Sequence, residues 1–255
     1  TLTTLDLDSN KIGVKGAEDL ANALQINKTL TTIDLRFNEI GAKGTKYLAK
    51  ALQINKVTTI LVLHSPHFTS SFTQALSTLN ILGNEIGDKG VEYLANALQI
   101  NKTLTTLELT LNEIGNQGAK HLANALQINE TLTTLGLARN EIGAEGAGYL
   151  ANALQINKTL TTFNIYWNDV GAKGAQDLAN ALQINKTLTT LDISWSDIGA
   201  KGAQHLANGL QTNTTLTILN LYYNKIGDPG AQDLANALKT NKVTTIFVVL
   251  SLRFT

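Results

Sequence analysis

The sequence predicts a right-handed α/β solenoid, a horseshoe in which a parallel sheet lines the inside and helices cover the outside. Three observations support this prediction: a unit repeated every 28 residues, an alternating apolar pattern in its first half, and a helical apolar stripe in its second half. The unit is clearest at 159–186, TLTTFNIYWNDVGAKGAQDLANALQINK, and its leading leucine recurs at Leu104, Leu132, Leu160, Leu188 and Leu216. Self-similarity at a fixed period of this size is typical of stacked repeats.

Each unit contains one predicted strand and one predicted helix. In 160–165, LTTFNI, apolar and polar residues alternate as in a half-buried strand. From Ala175 to Leu182, apolar residues recur at the i, i+3, i+4 and i+7 spacing of a helix face. A single pair cannot bury both faces, so the copies must stack. Strand–helix–strand connections make the sheet parallel and the superhelix right-handed. Strands lie about 4.8 Å apart whereas helices need about 8–10 Å, so the stack bends around the strands.

The repeats follow one another along the chain, beginning at residues 2, 30, 76, 104, 132, 160, 188 and 216. Each helix is predicted to begin just after the position of Val14, with Asp88, Asn116 and Asp228 as N-terminal caps. Pro229 follows Asp228 and suits a first helical position. Each helix should end after about twelve residues at an asparagine, a residue that tolerates the left-handed conformation that stops a helix.

The repeated motif L-x-x-L-x-L-x-x-N-x-I-G-x-x-G-A-x-x-L-A-x-A-L resembles the leucine-rich repeats of the ribonuclease-inhibitor type. Such repeats also occur at the C-terminal end of NOD-like receptors and in Ran GTPase-activating proteins. The resemblance implies one leucine-rich-repeat domain over 1–255, with about eight 28-residue repeats. It also implies that the asparagine at the tenth position forms a hydrogen-bonded ladder, which Ser196 in repeat seven should weaken.

Two segments interrupt the repeat: an insertion at 57–74 and an irregular C-terminal tail at 243–255. Both follow Asn-Lys and begin Val-Thr-Thr-Ile, so we interpret them as translated introns, with ordinary loop insertion as the alternative. Both are apolar and rich in β-branched residues. We therefore expect 57–74 to insert a strand into the sheet, with Ile60 and Val62 facing inward, and the tail to add a ninth strand.

Composition excludes several classes of function. Twenty basic and 20 acidic residues balance, which removes the electrostatic case for nucleic acid or an anionic membrane. No apolar run approaches the ~20 residues of a membrane helix. The chain has no cysteine, so it holds neither disulfides nor thiolate metal sites. It has no methionine and begins in mid-pattern, so we interpret it as part of a larger cytoplasmic protein of NOD-like-receptor type or a related kind.

The patterns that suggest chemistry belong to the scaffold. The Gly-x-x-Gly at 41–44 recurs in all eight repeats, and no phosphate-binding G-x-x-x-x-G-K-[ST] motif is present. His121 and His205 lie three repeats apart, and His64 and His67 have no clear further ligands. We therefore expect no catalytic residue, cofactor, metal or small-molecule substrate.

Variation inside the repeat is the best indicator of function. The sixth, eighth and ninth positions change from repeat to repeat and should project from the inner strand face or its rim. Both tryptophans and three of the six tyrosines fall at the eighth and ninth positions of repeats six to eight, a composition typical of interface hot spots. The candidate partner-binding residues are Arg36, Phe37, Arg139, Tyr166, Trp167, Asp192, Trp195, Tyr222 and Tyr223.

These residues predict a non-enzymatic scaffold that binds a protein partner on its concave face. The aromatic residues would then serve as the anchor. Two alternatives remain: a GTPase-activating protein of the Ran type, and an orphan repeat fragment with no dedicated partner.

Overall fold

The structure is a computed structural model that describes residues 2–54, 76–241 and the backbone of 247–249. The described strands are β1 (Thr4–Asp6), β2 (Thr32–Asp34), β3 (Thr78–Asn80), β4 (Thr106–Glu108), β5 (Thr134–Gly136), β6 (Thr162–Asn164), β7 (Thr190–Asp192), β8 (Ile218–Asn220) and β9 (Phe247–Val249). The described helices are α1 (Val14–Ile26), α2 (Gly41–Ile54), α3 (Gly87–Leu98), α4 (Asn116–Leu126), α5 (Gly143–Leu154), α6 (Gly171–Ile184), α7 (Gly199–Thr212) and α8 (Gly227–Thr240).

All nine strands pair in parallel in the order in which they occur along the chain, and the sheet does not close. Each strand residue pairs with its equivalent in the next repeat, as Thr162 does with Thr190. The predicted α/β solenoid is therefore confirmed. β9 pairs with β8, which confirms that the tail contributes a ninth strand.

The prediction that 57–74 inserts a strand into the sheet is wrong. β2 pairs directly with β3, with Thr32 opposite Thr78, so that place in the sheet is already taken. Direct pairing also lets α2 pack against α3, whereas a strand without its own helix would push these two helices apart. The segment itself, including Ile60 and Val62, lies outside the described residues.

The core runs continuously between the sheet and the helices. Strand residues at the fifth and seventh positions, such as Ile33 and Leu35, are fully buried against helix residues such as Leu48. The sixth position therefore lies on the opposite, concave face, where its side chains are half-buried in most repeats. This alternation confirms the predicted strand pattern.

Helix starts differ from the prediction in how they are capped. Asp88 does cap a helix, but it caps the following one: its Oδ1 accepts the amides of Gly115 at 2.7 Å and Gly118 at 2.9 Å. Asn116 donates from Nδ2 to Glu145 Oε2 of the next repeat at 2.7 Å. Asp228 lies within the first turn of α8, where no side chain caps the helix. At α4, stacking of the repeats places the Asp88 carboxylate of the previous repeat within hydrogen-bonding distance of the free amides, whereas the local Asn116 side chain bonds to Glu145.

Helix ends also differ from the prediction. The asparagine that ends α6, Asn185, has φ −64° and ψ 134°, which is extended rather than left-handed. Its side chain satisfies the backbone groups at the helix end instead. Oδ1 accepts the amides of Thr187 at 2.9 Å and Leu188 at 2.7 Å. Nδ2 donates to Leu154 O of the previous helix at 2.7 Å. We call the equivalent asparagines the amino-edge ladder, because they lie at the edge of the sheet where strands begin: Asn101, Asn129, Asn157, Asn185 and Asn213.

Candidate protein-binding site

A second ladder of asparagines holds the edge of the sheet where strands end, and we call it the carboxyl-edge ladder. In repeat four, Asn112 donates from Nδ2 to Ile81 O of the previous repeat at 2.9 Å, and its Oδ1 accepts the Asn84 amide at 2.9 Å. The predicted ladder is confirmed in Asn38, Asn84, Asn112, Asn140, Asn168 and Asn224.

The predicted weak point at repeat seven is also present. The Ser196 hydroxyl bonds only to Ser194 O, at 3.1 Å. In other repeats the ladder asparagine accepts one or two amides of the repeat before it, as Asn168 does from Ile142 at 3.2 Å and Asn38 does from Asn10 at 3.1 Å and Ile12 at 2.8 Å. Ser196 is too short to reach the corresponding amides of repeat six.

The ninth position of every repeat has a left-handed backbone. The φ angles lie between 46° and 66° at Ser9, Phe37, Gly83, Leu111, Arg139, Trp167, Trp195 and Tyr223. Glycine adopts this conformation without steric cost, whereas a bulky residue is strained in it. Only one of the eight positions is glycine. The conformation is held by backbone hydrogen bonds between neighbouring repeats, such as the bond that Trp167 N donates to Ser194 O at 2.9 Å.

The bulky residues at this position stack along the carboxyl edge. The Trp167 and Trp195 rings are 4.9 Å apart and nearly parallel, and Trp195 and Tyr223 are 3.7 Å apart. The guanidinium of Arg139 lies 5.0 Å from the centre of the Trp167 ring, a cation–π contact. Tyr222, from the concave side, lies 6.2 Å from Trp195. We call these five residues the aromatic ridge.

The ridge is accessible to solvent at the edge of the sheet. Trp167 is 46% exposed and Tyr222 is 42% exposed, while Trp195, in the middle of the stack, is half-buried. The strands end at the sixth position, so strand preference does not explain the aromatic residues at the ninth. Because the ring faces cover one another, the stacked rings expose mainly their edges to solvent.

The other predicted residues are only partly brought together with the ridge. Tyr166 joins it, since its ring lies 6.0 Å from the Arg139 guanidinium. Asp192 lies beside it on the concave face, but its carboxylate is engaged: Oδ1 accepts from the Ser194 amide and hydroxyl, and Oδ2 from Asn220 Nδ2 at 2.8 Å.

Arg36 and Phe37 lie in repeat two, away from the ridge. Arg36 donates from Nε to Asp34 at 2.9 Å and lies 3.4 Å from the Asp8 carboxylate; the hydrogen bond to Asp34 raises the pKa of Arg36. The Phe37 ring is 52% exposed and lies over Gly83, where an added β-carbon would come within 2.8 Å of it.

A groove connects Phe37 with the ridge, and sequence reasoning did not find it. It has a volume of about 560 Å³ and extends between Phe37 and Trp167, with Leu111 between them. Glu85, Glu113 and Glu141 also line it. The available signal in the sequence was the acidic residue that recurs at the eleventh position.

Glu108 is a half-buried carboxylate on the concave face. It leans over Gly136, where a β-carbon would lie only 1.7 Å from its Oε2. Burial raises the pKa of Glu108 above its ordinary value. The missing side chain at Gly136 thus creates the space that this carboxyl group occupies.

Neither a metal site nor a membrane-spanning helix is present among the described residues. Within 2–54 and 76–241, no three His, Cys, Asp or Glu side chains form a group that could hold a metal ion. None of the helices in the same residues has the length and apolar character needed to cross a membrane.

Fold and site together define a repeat solenoid with a constant frame and a variable edge. The model of a protein family described as "Leucine Rich repeat" matches the chain eight times, at residues 1–21, 27–49, 74–95, 101–123, 129–151, 157–179, 185–207 and 212–235. These matches cover more than half of the chain, and the protein belongs to the leucine-rich repeat family.

Two solved structures share this fold. The actin-binding site 2 of leiomodin-1 is 20% identical with a TM-score of 0.50, covering 75% of this chain and 94% of its own. The tropomodulin C-terminal domain from Caenorhabditis elegans is 15% identical with a TM-score of 0.51, covering 66% and 92% respectively. Among curated proteins, no relative matches the chain. At these identities the likeness extends to the fold alone.

Proposed function

We propose that this chain is a non-enzymatic scaffold that binds a protein partner through its concave face and carboxyl edge, with the aromatic ridge as the anchor. The observation that carries the proposal is the strain at the ninth position. Arg139, Trp167, Trp195 and Tyr223 occupy a left-handed conformation in which glycine costs less, and their side chains point at least partly to solvent. Because strained residues cluster at binding sites and exposed aromatic residues are typical of interface hot spots, this strain favours a role in partner binding over a role in packing of the fold.

The nine candidate residues take different roles in this proposal. Trp167, Trp195, Tyr222, Tyr223, Tyr166 and Arg139 form the anchor. Phe37 supplies a second apolar contact at the far end of the groove. Arg36 and Asp192 already have intramolecular partners, so we assign them to shaping the concave face and its charge.

The wider setting is also a proposal. The motif supports the ribonuclease-inhibitor type of repeat, as in NOD-like receptors or related intracellular proteins, and we place the chain in the cytoplasm on that basis. The leiomodin-1 domain is named for binding actin. A shared fold at 20% identity does not imply a shared partner, so actin is only one candidate partner to be tested.

The test is affinity capture with the double variant Trp167→Ala/Trp195→Ala. Loss of two hot-spot aromatics should weaken capture of the partner roughly 1,000-fold, since each contributes on the order of 2 kcal/mol, or about 30-fold. Tyr149→Ala on the outer helix α5 is the matched aromatic control and should keep full capture. A double variant that keeps its circular dichroism and still captures the same proteins would refute the assignment.

A hydrolysis assay separates the scaffold from the Ran-type alternative. The chain is added to Ran-like GTPases loaded with GTP, and phosphate release is followed. We expect no change in rate; acceleration would favour a GTPase-activating protein.

A further inference from the structure

The edge of the sheet opposite the aromatic ridge carries a row of exposed isoleucines that the proposed function does not use. They lie at the last residue of a helix or two residues after it, each directly before an asparagine, and are between 44% and 79% exposed: Ile26, Ile54, Ile100, Ile128, Ile156 and Ile184. In α7 and α8 the same position holds Thr212 and Thr240. An apolar row of this length in solvent indicates an interaction surface.

Lysines lie beside this row, two positions further along the chain. Lys28, Lys102, Lys158 and Lys186 are exposed and follow the same asparagines, whereas Glu130 follows Asn129 and lies 3.8 Å from the Lys102 ammonium. The amino-edge ladder keeps the rows in register: Asn157 donates to Leu126 O at 2.8 Å and to Asn129 O at 3.2 Å, and the pattern recurs in successive repeats. We call these isoleucines and lysines together the Ile–Lys edge.

The carboxyl edge has the complementary pattern. Its ninth position is apolar or aromatic in most repeats, and its eleventh position is acidic in six consecutive repeats: Glu39, Glu85, Glu113, Glu141, Asp169 and Asp197. All six are exposed. Within the described residues only Asp197 of this set has an ion-pair partner, Lys225 at 2.8 Å. A row of like charges in register repels itself, so a cationic surface placed against it would be favoured.

The geometry brings the two edges together in one specific way. All strands run in the same direction, so strand ends form one edge of the arc and strand beginnings form the other. A second copy displaced along the strand direction would set its Ile–Lys edge against the carboxyl edge of the first. Repeat spacing and curvature match because the two molecules are identical.

We propose that this chain associates with a second copy of itself, the Ile–Lys edge of one molecule resting on the carboxyl edge of the other. Isoleucine then meets the apolar ninth position, and lysine meets the acidic eleventh position. The contact is head-to-tail and leaves a free edge at each end, so assembly continues with concentration rather than stopping at a dimer. It occupies the edge that we assign to the partner, so partner binding and self-association compete.

The test is a charge swap followed by analytical ultracentrifugation of the full chain. One variant reverses the acidic row, Glu85→Lys/Glu113→Lys/Glu141→Lys. The other reverses the lysine row, Lys102→Glu/Lys158→Glu/Lys186→Glu. We expect the unaltered chain to exceed its monomer mass of 27.4 kDa increasingly with concentration, and each variant alone to remain at that mass. An equimolar mixture of the two should regain the larger species, because acidic and basic edges again face each other.

One control variant and one further interface variant separate this interface from general effects. Lys43→Glu/Lys50→Glu/Lys201→Glu changes the charge equally on the outer helices and should associate like the unaltered chain. Ile128→Thr/Ile156→Thr/Ile184→Thr introduces the residue that α7 and α8 carry at this position, so the fold should tolerate it while association weakens at least tenfold.

Three results would overturn the proposal: a monomer at every concentration, association unchanged in the lysine-reversed variant, or a mixture that fails to assemble. The lysine-reversed variant keeps its carboxyl edge intact and should still capture the external partner. Failure of self-association is therefore distinguishable from failure of the proposed function.

Discussion

At the amino edge of the sheet the segment Ile-Asn-Lys recurs through most of the chain, whereas at the carboxyl edge the eighth and ninth positions change in nearly every repeat. Both edges are framed in the same way, by buried asparagines that bond across neighbouring repeats. The two edges therefore differ in their exposed side chains and not in the asparagine ladders that hold them. A uniform edge suits a partner with the same periodicity, which a second copy provides. A varied edge suits an external partner that is recognised residue by residue.

The largest expected effect is on stability, and it tests whether the carboxyl-edge ladder and the amino-edge ladder contribute equally. Asn112→Ala at the carboxyl edge and Asn129→Ala at the amino edge each leave buried backbone groups without partners. Each should lower the free energy of unfolding by about 2–4 kcal/mol, since several buried bonds are lost at once. For a chain of this size that is roughly 5–15 °C in Tm. Exposed Asn152→Ala is the control, and a clear inequality between the two edges would break the comparison.

The gap at repeat seven offers the reverse experiment. Ser196→Asn should restore the bonds that the other ladder asparagines make to the repeat before them. Stability should rise by about 1–2 kcal/mol, because each added hydrogen bond contributes on the order of 1 kcal/mol. Urea unfolding followed by circular dichroism measures the gain. A loss of stability would mean that the neighbourhood of Trp195 requires the smaller serine.

Strain at the ninth position predicts an inverted order of two substitutions. Leu111 has φ 57°, so Leu111→Gly should be more stable than Leu111→Ala by about 1 kcal/mol, against the usual entropic disadvantage of glycine. Val91, buried in α3, serves as the reference site, where the glycine variant should be the less stable. Equal stability of the two Leu111 variants would show that the left-handed backbone stores no strain.

The smallest expected effect concerns Glu108 on the concave face. Burial raises its folded pKa above 4.5, so the folded state holds its proton more tightly than the unfolded state. Stability should therefore decline as pH rises from 4.5 through the raised pKa and stay level above it. Glu108→Gln should remove this decline and raise Tm at neutral pH by roughly 1–2 °C. Glu113→Gln controls for net charge; a steeper decline in Glu108→Gln would contradict the sign.

Much of the fold was predictable because the repeat averages out local ambiguity. One strand pattern and one helix pattern seen eight times gave the parallel order and the buried faces, and the resemblance to leucine-rich repeats implied the carboxyl-edge ladder. The ninth strand followed from the apolar, β-branched tail. Capping was not predictable, since Asp88 acts on the helix of the next repeat, which sequence distance conceals. The expected inserted strand failed because pairing of β2 with β3 keeps their helices in contact.

The site was predictable as a set of variable positions but not as a surface. Trp167, Trp195, Tyr222 and Tyr223 were identified by their variation, and their proximity followed from strand spacing. Their parallel stacking and the contact of Arg139 with Trp167 depend on side-chain orientations in a left-handed backbone. The groove between Phe37 and Trp167 depends on the absent side chain of Gly83 as much as on the residues present.

By itself, the sequence determined the period, the alternation of strand and helix, and which positions are free to vary, because these follow from the burial of one apolar face per element. Only the tertiary structure decided which side chains meet across repeats. Those contacts join residues 26 to 31 positions apart, or 44 to 49 across the insertion, and they depend on how closely one repeat packs against the next.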